Sequence, residues 1–144
     1  MAVPLVTIDT NVYVSALHFG GKPRALLEAV IDGRVNVAIS APILAEVRRI
    51  LRDKFEWEEN DLTEAETLIR GFSTLVEPDE VLYVVEADPA DNRVVECAVK
   101  SGSEFIVTGD KHLLALQRYV HISVVTVSEF LLPTRAIGAD LPGR

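Results

Sequence analysis

The stretch 5-LVTIDTN-11 places an aspartate immediately after a short apolar, β-branched run. Val, Ile and Thr favour extended backbone, so the sequence predicts a strand over residues 3–8. Asp9 follows that strand, and two more polar residues follow Asp9. Asp9 either caps a helix that begins there or lies at the floor of a functional site, and this stretch alone leaves both readings open.

Further along the chain, short β-branched runs alternate with longer segments of helical periodicity. Strands are predicted at residues 35–39, 105–108 and 122–127, with 81–85 as a short strand or an extended loop. Helices are predicted at 13–17, from the GGKP turn at 20–23 to residue 31, and at 42–53, 58–75, 88–101 and 110–116. The helix at 88–101 is expected to begin with Asp88 as its N-cap and Pro89 at its first position, and to end near Gly102. Strands separated by helices form a parallel sheet that is covered on both faces, which is an α/β fold.

The composition indicates one globular domain. Of the 144 residues, 49% are hydrophobic, which is enough for a substantial core. The formal net charge of −8 disfavours binding of nucleic acid through bulk positive charge. Nucleic acid stays open as a substrate if a divalent cation neutralises clustered acids. We expect a cytoplasmic protein, because Cys97 is the only cysteine, no long apolar run occurs and the N-terminus lacks a secretory pattern.

Two aspartates directly follow predicted strands. Asp9 comes after the first strand, and Asp110 comes after 105-FIVTG-109. In an α/β sheet the carboxyl ends of parallel strands meet at one edge, and ligands bind there. We therefore expect both carboxylates at the same edge of the sheet, although each taken singly is equally well explained as an N-cap.

Two further acids border the apolar stripes of predicted helices. Asp91 lies three and four residues before Val94 and Val95, and Glu46 lies three residues after Ile43. A carboxylate on an inward stripe is unfavourable unless it is paired or binds a metal. The alternative for Asp91 is an interaction with the helix dipole, and the alternative for Glu46 is a solvated flank position. A shared site accounts for all four acids together.

Such a cluster of carboxylates suits Mg²⁺ or Mn²⁺ rather than zinc, because it offers hard oxygen ligands without nearby His or Cys. These ions orient phosphates and stabilise a leaving oxygen, so phosphodiester hydrolysis is the reaction that we expect. The sequence has no Walker-type glycine-rich loop. Its three histidines, His18, His112 and His121, are scattered along the chain and are expected to be structural or exposed.

Four motifs occur in order along the chain: IDTNVYVSAL at 8–17, ILAEVRRIL at 43–51, DPADNRVVECAVKSG at 88–102 and FIVTGDKHLL at 105–114. Together they resemble the motifs of the PIN-domain family, in particular the toxin components of toxin–antitoxin systems. The likeness spans residues 3–132. It implies a three-layer α/β/α sandwich with a parallel sheet of about five strands, and a Mg²⁺- or Mn²⁺-dependent ribonuclease that cleaves single-stranded RNA.

The resemblance also implies roles for individual residues. The matched acids, as catalytic residues and metal ligands, are Asp9, Glu46, Asp91 and Asp110. Asp9 and Asp91 would hold the principal ion, and the other two would tune it or recruit a second. The supporting residues are Asn11, Thr10 and Thr108, and the candidates for phosphate contacts are Lys22, Arg24 and Lys111. At His112 relatives often carry a further acid, which leaves an accessory ligand open.

Partners and domain limits are expectations as well. The family resemblance implies an RNA substrate, a small antitoxin protein and a homodimer, with residues 57–75 as a candidate dimer surface. We expect the PIN-like domain to span 1–133 and residues 134–144 to form a tail. Two alternatives stay open: a catalytically silent PIN-like module that binds RNA or protein, and a phosphotransfer domain of another α/β class. The second fits less well, because Asn11 stands where a haloacid-dehalogenase-like phosphatase has an aspartate.

Overall fold

The structure is a computed structural model that describes residues 2–132. Its strands are β1 (Leu5–Ile8), β2 (Asn36–Ile39), β3 (Ser73–Leu75), β4 (Phe105–Val107), β5 (Arg118–Tyr119) and β6 (Ile122–Val125). Its helices are α1 (Thr10–His18), α2 (Gly21–Ile31), α3 (Ala41–Phe55), α4 (Glu59–Phe72), α5 (Pro89–Ser101), α6 (Lys111–Leu114) and α7 (Val127–Phe130). The predicted domain boundary at 133 and the tail at 134–144 lie outside the described residues.

The strands form one sheet in the order β3-β2-β1-β4-β6-β5. All neighbouring pairs are parallel except β5–β6, so the sheet has five parallel strands and one short antiparallel edge strand. Helices flank the sheet in a three-layer α/β/α sandwich, as predicted. None of the helices within 2–132 is long and apolar enough to cross a lipid bilayer.

The first strand lies inside the sheet, between β2 and β4, and its residues are buried on both faces. Val6 and Ile8 are fully buried, and Thr7, also buried, hydrogen-bonds the Ser103 hydroxyl at 2.8 Å. In register, Ile8 pairs with Val107 of β4. The next residue continues this pairing, since the backbone N–H of Asp9 donates to the Val107 carbonyl at 2.9 Å. This register sets the first aspartate beside the carboxyl end of β4.

The segment 81–85 is a loop rather than a strand. Its backbone groups are satisfied by a side chain of α5: Asn92 Oδ1 accepts from the N–H groups of Val84 and Val85, both at 2.8 Å, and its amide donates to the Val85 carbonyl at 2.9 Å. The segment therefore needs no strand partner. Leu82, Val84 and Val85 pack on the core without pairing in the sheet.

Other differences from the predicted elements occur where short strands follow helices. The predicted helix 58–75 ends at Phe72, and residues 73–75 pair with β2 instead, which adds an edge strand. The two-residue strand β5 and the one-turn helix α7 are too short to produce a periodic pattern. Neither difference changes the carboxyl edge of the central strands.

Candidate functional site

Three carboxylates meet at the carboxyl edge of the sheet. One oxygen each of Asp88, Asp91 and Asp110 lies within 4.8 Å of the other two. Asp110 lies there because β4 ends three residues before it, at Val107, and Asp88 and Asp91 lie at the N-cap and in the first turn of α5. The N-terminus of α5 therefore approaches the same edge of the sheet at which the sequence predicts Asp110.

Asp9 is not one of the three clustered carboxylates, but Thr108 links it to Asp110. The Thr108 hydroxyl donates to Asp9 Oδ2 at 2.7 Å and accepts from the backbone N–H of Asp110 at 2.9 Å. Thr108 is fully buried and Asp9 is 3% exposed. Although Asp9 occupies the N-cap position of α1, its side chain makes no capping hydrogen bond. Its carboxylate is therefore positioned by the Thr108 hydroxyl, which also bonds the backbone of Asp110.

Burial and the neighbouring negative charges raise the pKa of two of these acids, Asp91 and Asp9. Burial, followed by the charges of Asp110, Asp88 and Asp9, raises the pKa of Asp91 to about 7 from its ordinary 3.8. Burial also raises the pKa of Asp9 to about 6, and the charges of Asp110 and Asp88 add to this against the opposing hydrogen bond from Thr108. In the described chain no Lys or Arg forms an ion pair with any of the four aspartates.

Asp91 gives the clearest structural indication of a cation site. It is only 5% exposed, and its Oδ2 atom is buried without a hydrogen-bond partner among residues 2–132. A buried carboxylate oxygen with no donor is costly to leave in place. A divalent cation supplies the compensation that the protein lacks here, and the donors are all oxygens, as Mg²⁺ and Mn²⁺ prefer. The residues present therefore fit such an ion.

Sequence reasoning assigned Asp88 only a capping role and missed its place in the cluster. The cap is real: Asp88 Oδ1 accepts from the Ala90 N–H at 3.1 Å at the start of α5. The cap uses one carboxylate oxygen of Asp88, so the other oxygen is available to bind a cation. The signal was the spacing of Asp88 and Asp91, which puts both on the same first turn of a helix.

Asp110 likewise has two roles. Its Oδ1 accepts from the N–H groups of His112 and Leu113 at 2.7 and 3.2 Å and so caps α6, while the residue belongs to the acidic cluster. Cap and site were weighed as alternatives from the sequence. In the structure Asp110 does both, because the residues that follow the carboxyl end of β4 also form the N-terminus of α6.

Glu46 has a different environment. Arg49 donates to it through two nitrogens, Nε to Oε1 at 2.9 Å and Nη2 to Oε2 at 2.8 Å. This hydrogen bond and the charge of Arg49 lower the pKa of Glu46. Glu46 borders the buried residues Ile43 and Val47 of α3, as the sequence predicted, but it does not belong to the group of three clustered carboxylates. Its role as a ligand stays a prediction.

A cavity of about 780 Å³ opens beside the cluster. It reaches Asp110 on one side, and two lysines, Lys22 and Lys111, lie on its wall. Asn11 also lines it, and within 2–132 the Asn11 side chain makes no hydrogen bond to the aspartates. Lys22 Nζ donates to the Ser128 hydroxyl of α7 at 3.3 Å, and Ser128 lines the same cavity.

The other two predicted residues have local contacts. The guanidinium of Arg24 donates to the carbonyls of Ala16 and Leu17, at 3.2 and 3.5 Å, so it binds the last turn of α1. It does not line the cavity that contains the lysines. Thr10 is buried at the start of α1, and its backbone N–H stabilises the charged form of Asp9.

Comparison with known proteins gives the family. Residues 5–112 match the family model described as PIN domain, so the chain belongs to the PIN-domain family. The fold is similar to that of VapBC2 from Rickettsia felis, solved in complex with a DNA fragment from the promoter of the pair. The TM-score is 0.60 at 13% identity, over 85% of this chain and 98% of that one. No curated protein sequence matches significantly.

Proposed function

We propose that the protein is a metal-dependent endoribonuclease that hydrolyses phosphodiester bonds of single-stranded RNA. The observation that carries the proposal is Asp91, a buried aspartate that has one oxygen without a hydrogen-bond partner and lies in a cluster with two further carboxylates. PIN domains are in general nucleases, which agrees with this chemistry. The proposal extends the family assignment to a metal, a reaction and a substrate.

Asp9, Asp88, Asp91 and Asp110 are the residues that would hold the cation, with Glu46 available if it leaves Arg49. A bound Mg²⁺ or Mn²⁺ supplies Lewis acidity, a nucleophilic water and neutralisation of the phosphate charge. The chain itself fixes the geometry. Thr108 holds Asp9 and the backbone of Asp110 together, and the α5 cap holds Asp88, so the ligand atoms lose little freedom on binding.

The cavity beside the cluster is the proposed path of the RNA. Lys22 and Lys111 provide positive charge in an otherwise acidic protein, and charge near the scissile phosphate helps to position the backbone. Asn11 and the Ser128 hydroxyl offer hydrogen bonds to sugar or phosphate oxygens. Arg24 is the weaker candidate, because the carbonyls of Ala16 and Leu17 already occupy its guanidinium.

We further propose that the protein is the toxin of a toxin–antitoxin pair, with a small antitoxin and a homodimeric state. The similarity of fold to VapBC2, a complex solved on promoter DNA, supports this partner. An antitoxin that presents an Arg or Lys to the acidic cluster would compensate its charge in place of the metal. Co-expression with a small neighbouring gene product, followed by co-purification, tests the pairing.

The activity is tested by incubating labelled single-stranded RNA with the purified protein and Mn²⁺. We expect cleavage that EDTA abolishes and that the Asp9→Asn variant loses. The matched control is Asp53→Asn, an exposed aspartate that pairs only with the adjacent Arg52 at 2.8 Å, and we expect it to cleave normally. Equal cleavage by Asp9→Asn and wild type would refute the assignment. RNA binding without any cleavage would favour the silent module instead.

A further inference from the structure

A groove beside α4 combines an apolar floor with an acidic rim. It has a volume of about 430 Å³, and its apolar residues are Leu17, Trp57, Ala65 and Leu68. Its remaining residues are all acidic: Glu56, Glu58, Asp61 and Glu64. The lining positions from Asp61 to Leu68 recur every three or four residues, so the groove follows the axis of α4 for about two turns, roughly 10 Å.

The apolar surface continues beyond the groove through an aromatic cluster. The Trp57 indole N–H donates to His18 Nδ1 at 3.1 Å, and the His18 ring lies 4.2 Å from the Phe55 ring, centroid to centroid. Phe19 packs edge-on against Phe55 and is itself 71% exposed. Leu68 at the other end is 46% exposed. An apolar patch of this kind with a charged rim is typical of an interaction surface.

The rim charges are not neutralised by the protein. In the described part of the chain, none of the four groove acids forms an ion pair within 4.0 Å. The opposite flank of α4 differs, because Arg48 binds both Glu59 and Glu66, and Arg70 binds Glu66. Arginines therefore neutralise the acids on one flank of α4, whereas the acids on the flank that lines the groove have no such partner in the described chain.

We propose that this groove binds an amphipathic helix of a partner protein whose contact face carries apolar residues flanked by Lys or Arg. A helix packed along α4 would bury Trp57 and Leu68 and place cations against the rim carboxylates. A second copy of this chain fits less well, because two-fold pairing of the groove with itself sets its acids against their own copies. The inference uses no residue of the acidic cluster and does not depend on nuclease activity.

Trp57 makes the groove directly observable, since it is the only tryptophan in the chain. The probe is a synthetic helical peptide of about 18 residues, five turns, with a leucine stripe flanked by arginines. Titrated into the full-length protein, it should give a saturable shift in Trp57 emission. A peptide with glutamates in place of the arginines, and one with serines in place of the leucines, should give none.

A matched pair of charge reversals tests the location. Glu64→Lys should weaken peptide binding about tenfold, because it places a like charge on the rim. Glu28→Lys makes the same change on an exposed residue of α2 outside the groove and should have no effect. Equal binding by both variants, or binding that leaves Trp57 emission unchanged, would overturn the proposal. Concentration-dependent dimers that Glu64→Lys strengthens would assign the groove to a second copy, against it.

Discussion

The acids at the carboxyl edge of the sheet and the arginine-bound acids of α3 and α4 have the same side-chain chemistry and opposite surroundings. On α3 and α4, Glu46, Glu59 and Glu66 are each bound by an arginine. At the sheet edge, Asp91 is buried beside other carboxylates without any such partner in the described chain. The sheet edge therefore fits a cation that the described chain does not itself supply.

The largest expected effect of a single change is at Asp91. We expect Asp91→Asn to weaken Mn²⁺ binding by at least about a hundredfold and to reduce metal-dependent RNA cleavage by about a thousandfold, because it removes a buried ligand and its charge. Isothermal titration with Mn²⁺ and single-turnover cleavage measure the two quantities. Asp53→Asn serves as the exposed control. A variant that binds Mn²⁺ like the wild type would remove the distinction between the two acidic regions.

A second test uses pH. Because the folded-state pKa values of Asp91 and Asp9 are raised to about 7 and about 6, their contribution to stability is full below pH 4 and is lost as pH rises through 6 to 7. We therefore expect the metal-free protein to lose thermal stability over this range. Saturating Mn²⁺ should raise Tm strongly at pH 8 and little at pH 5, where protons compete for the ligands.

The control for the pH test is Asp91→Asn, whose amide does not titrate. Relative to the wild type, we expect the metal-free variant to gain stability between pH 5 and pH 8. Scanning calorimetry across this range gives both curves. Identical pH profiles for the two proteins would show that Asp91 ionises as an ordinary surface acid does.

Asp88 separates capping from metal binding. Asn caps helices as well as Asp does, so Asp88→Asn should leave Tm nearly unchanged without metal. We expect it to weaken Mn²⁺ binding by about tenfold or more, because one charged ligand of the cluster is lost. Calorimetric titration decides between the roles. Unchanged affinity would mean that Asp88 only caps α5.

The smallest expected effect is at Glu46. Glu46→Gln removes the charge that Arg49 binds, and an exposed pair of this kind contributes about 0–1 kcal/mol to stability. We expect Mn²⁺ affinity for the principal ion to change by less than about threefold. Cleavage then reports separately whether Glu46 recruits a second ion. A loss of affinity as large as that of Asp91→Asn would place Glu46 in the cluster and remove the difference between the sheet-edge acids and the arginine-bound acids.

The sequence predicts the fold well where elements are long or end on polar residues. The pattern around residues 5–11 gave both the central strand and the position of Asp9 at its carboxyl edge. Helix α5 was predicted from its Asp-Pro start and its glycine end, and the inward position of Asp91 followed from its spacing to Val94. These features depend on local periodicity, which a single sequence contains.

The features that the sequence did not reveal depend on contacts between distant segments. The strand at 73–75 exists because β2 offers it a free edge, and the loop at 81–85 exists because the Asn92 side chain bonds its backbone. Asp88 was predicted only as a cap, because a cap depends on neighbouring residues in the sequence. Its proximity to Asp110 depends on how distant segments pack, which the sequence does not show. Glu46 borders an apolar stripe as predicted. Its pairing with Arg49 depends on the conformations of the two side chains, which the sequence pattern does not determine.

The proposed cation site at the carboxyl edge of the sheet consists of Asp91 and its aspartate neighbours. It is tested most directly by soaking crystals of the protein in Mn²⁺ and collecting diffraction data at the manganese absorption edge. We predict a strong anomalous peak within about 2.5 Å of the carboxylate oxygens of Asp91 and its aspartate neighbours. Ordered carboxylates at that edge without any peak, or manganese only on the exposed acids of the α4 groove, would contradict the account.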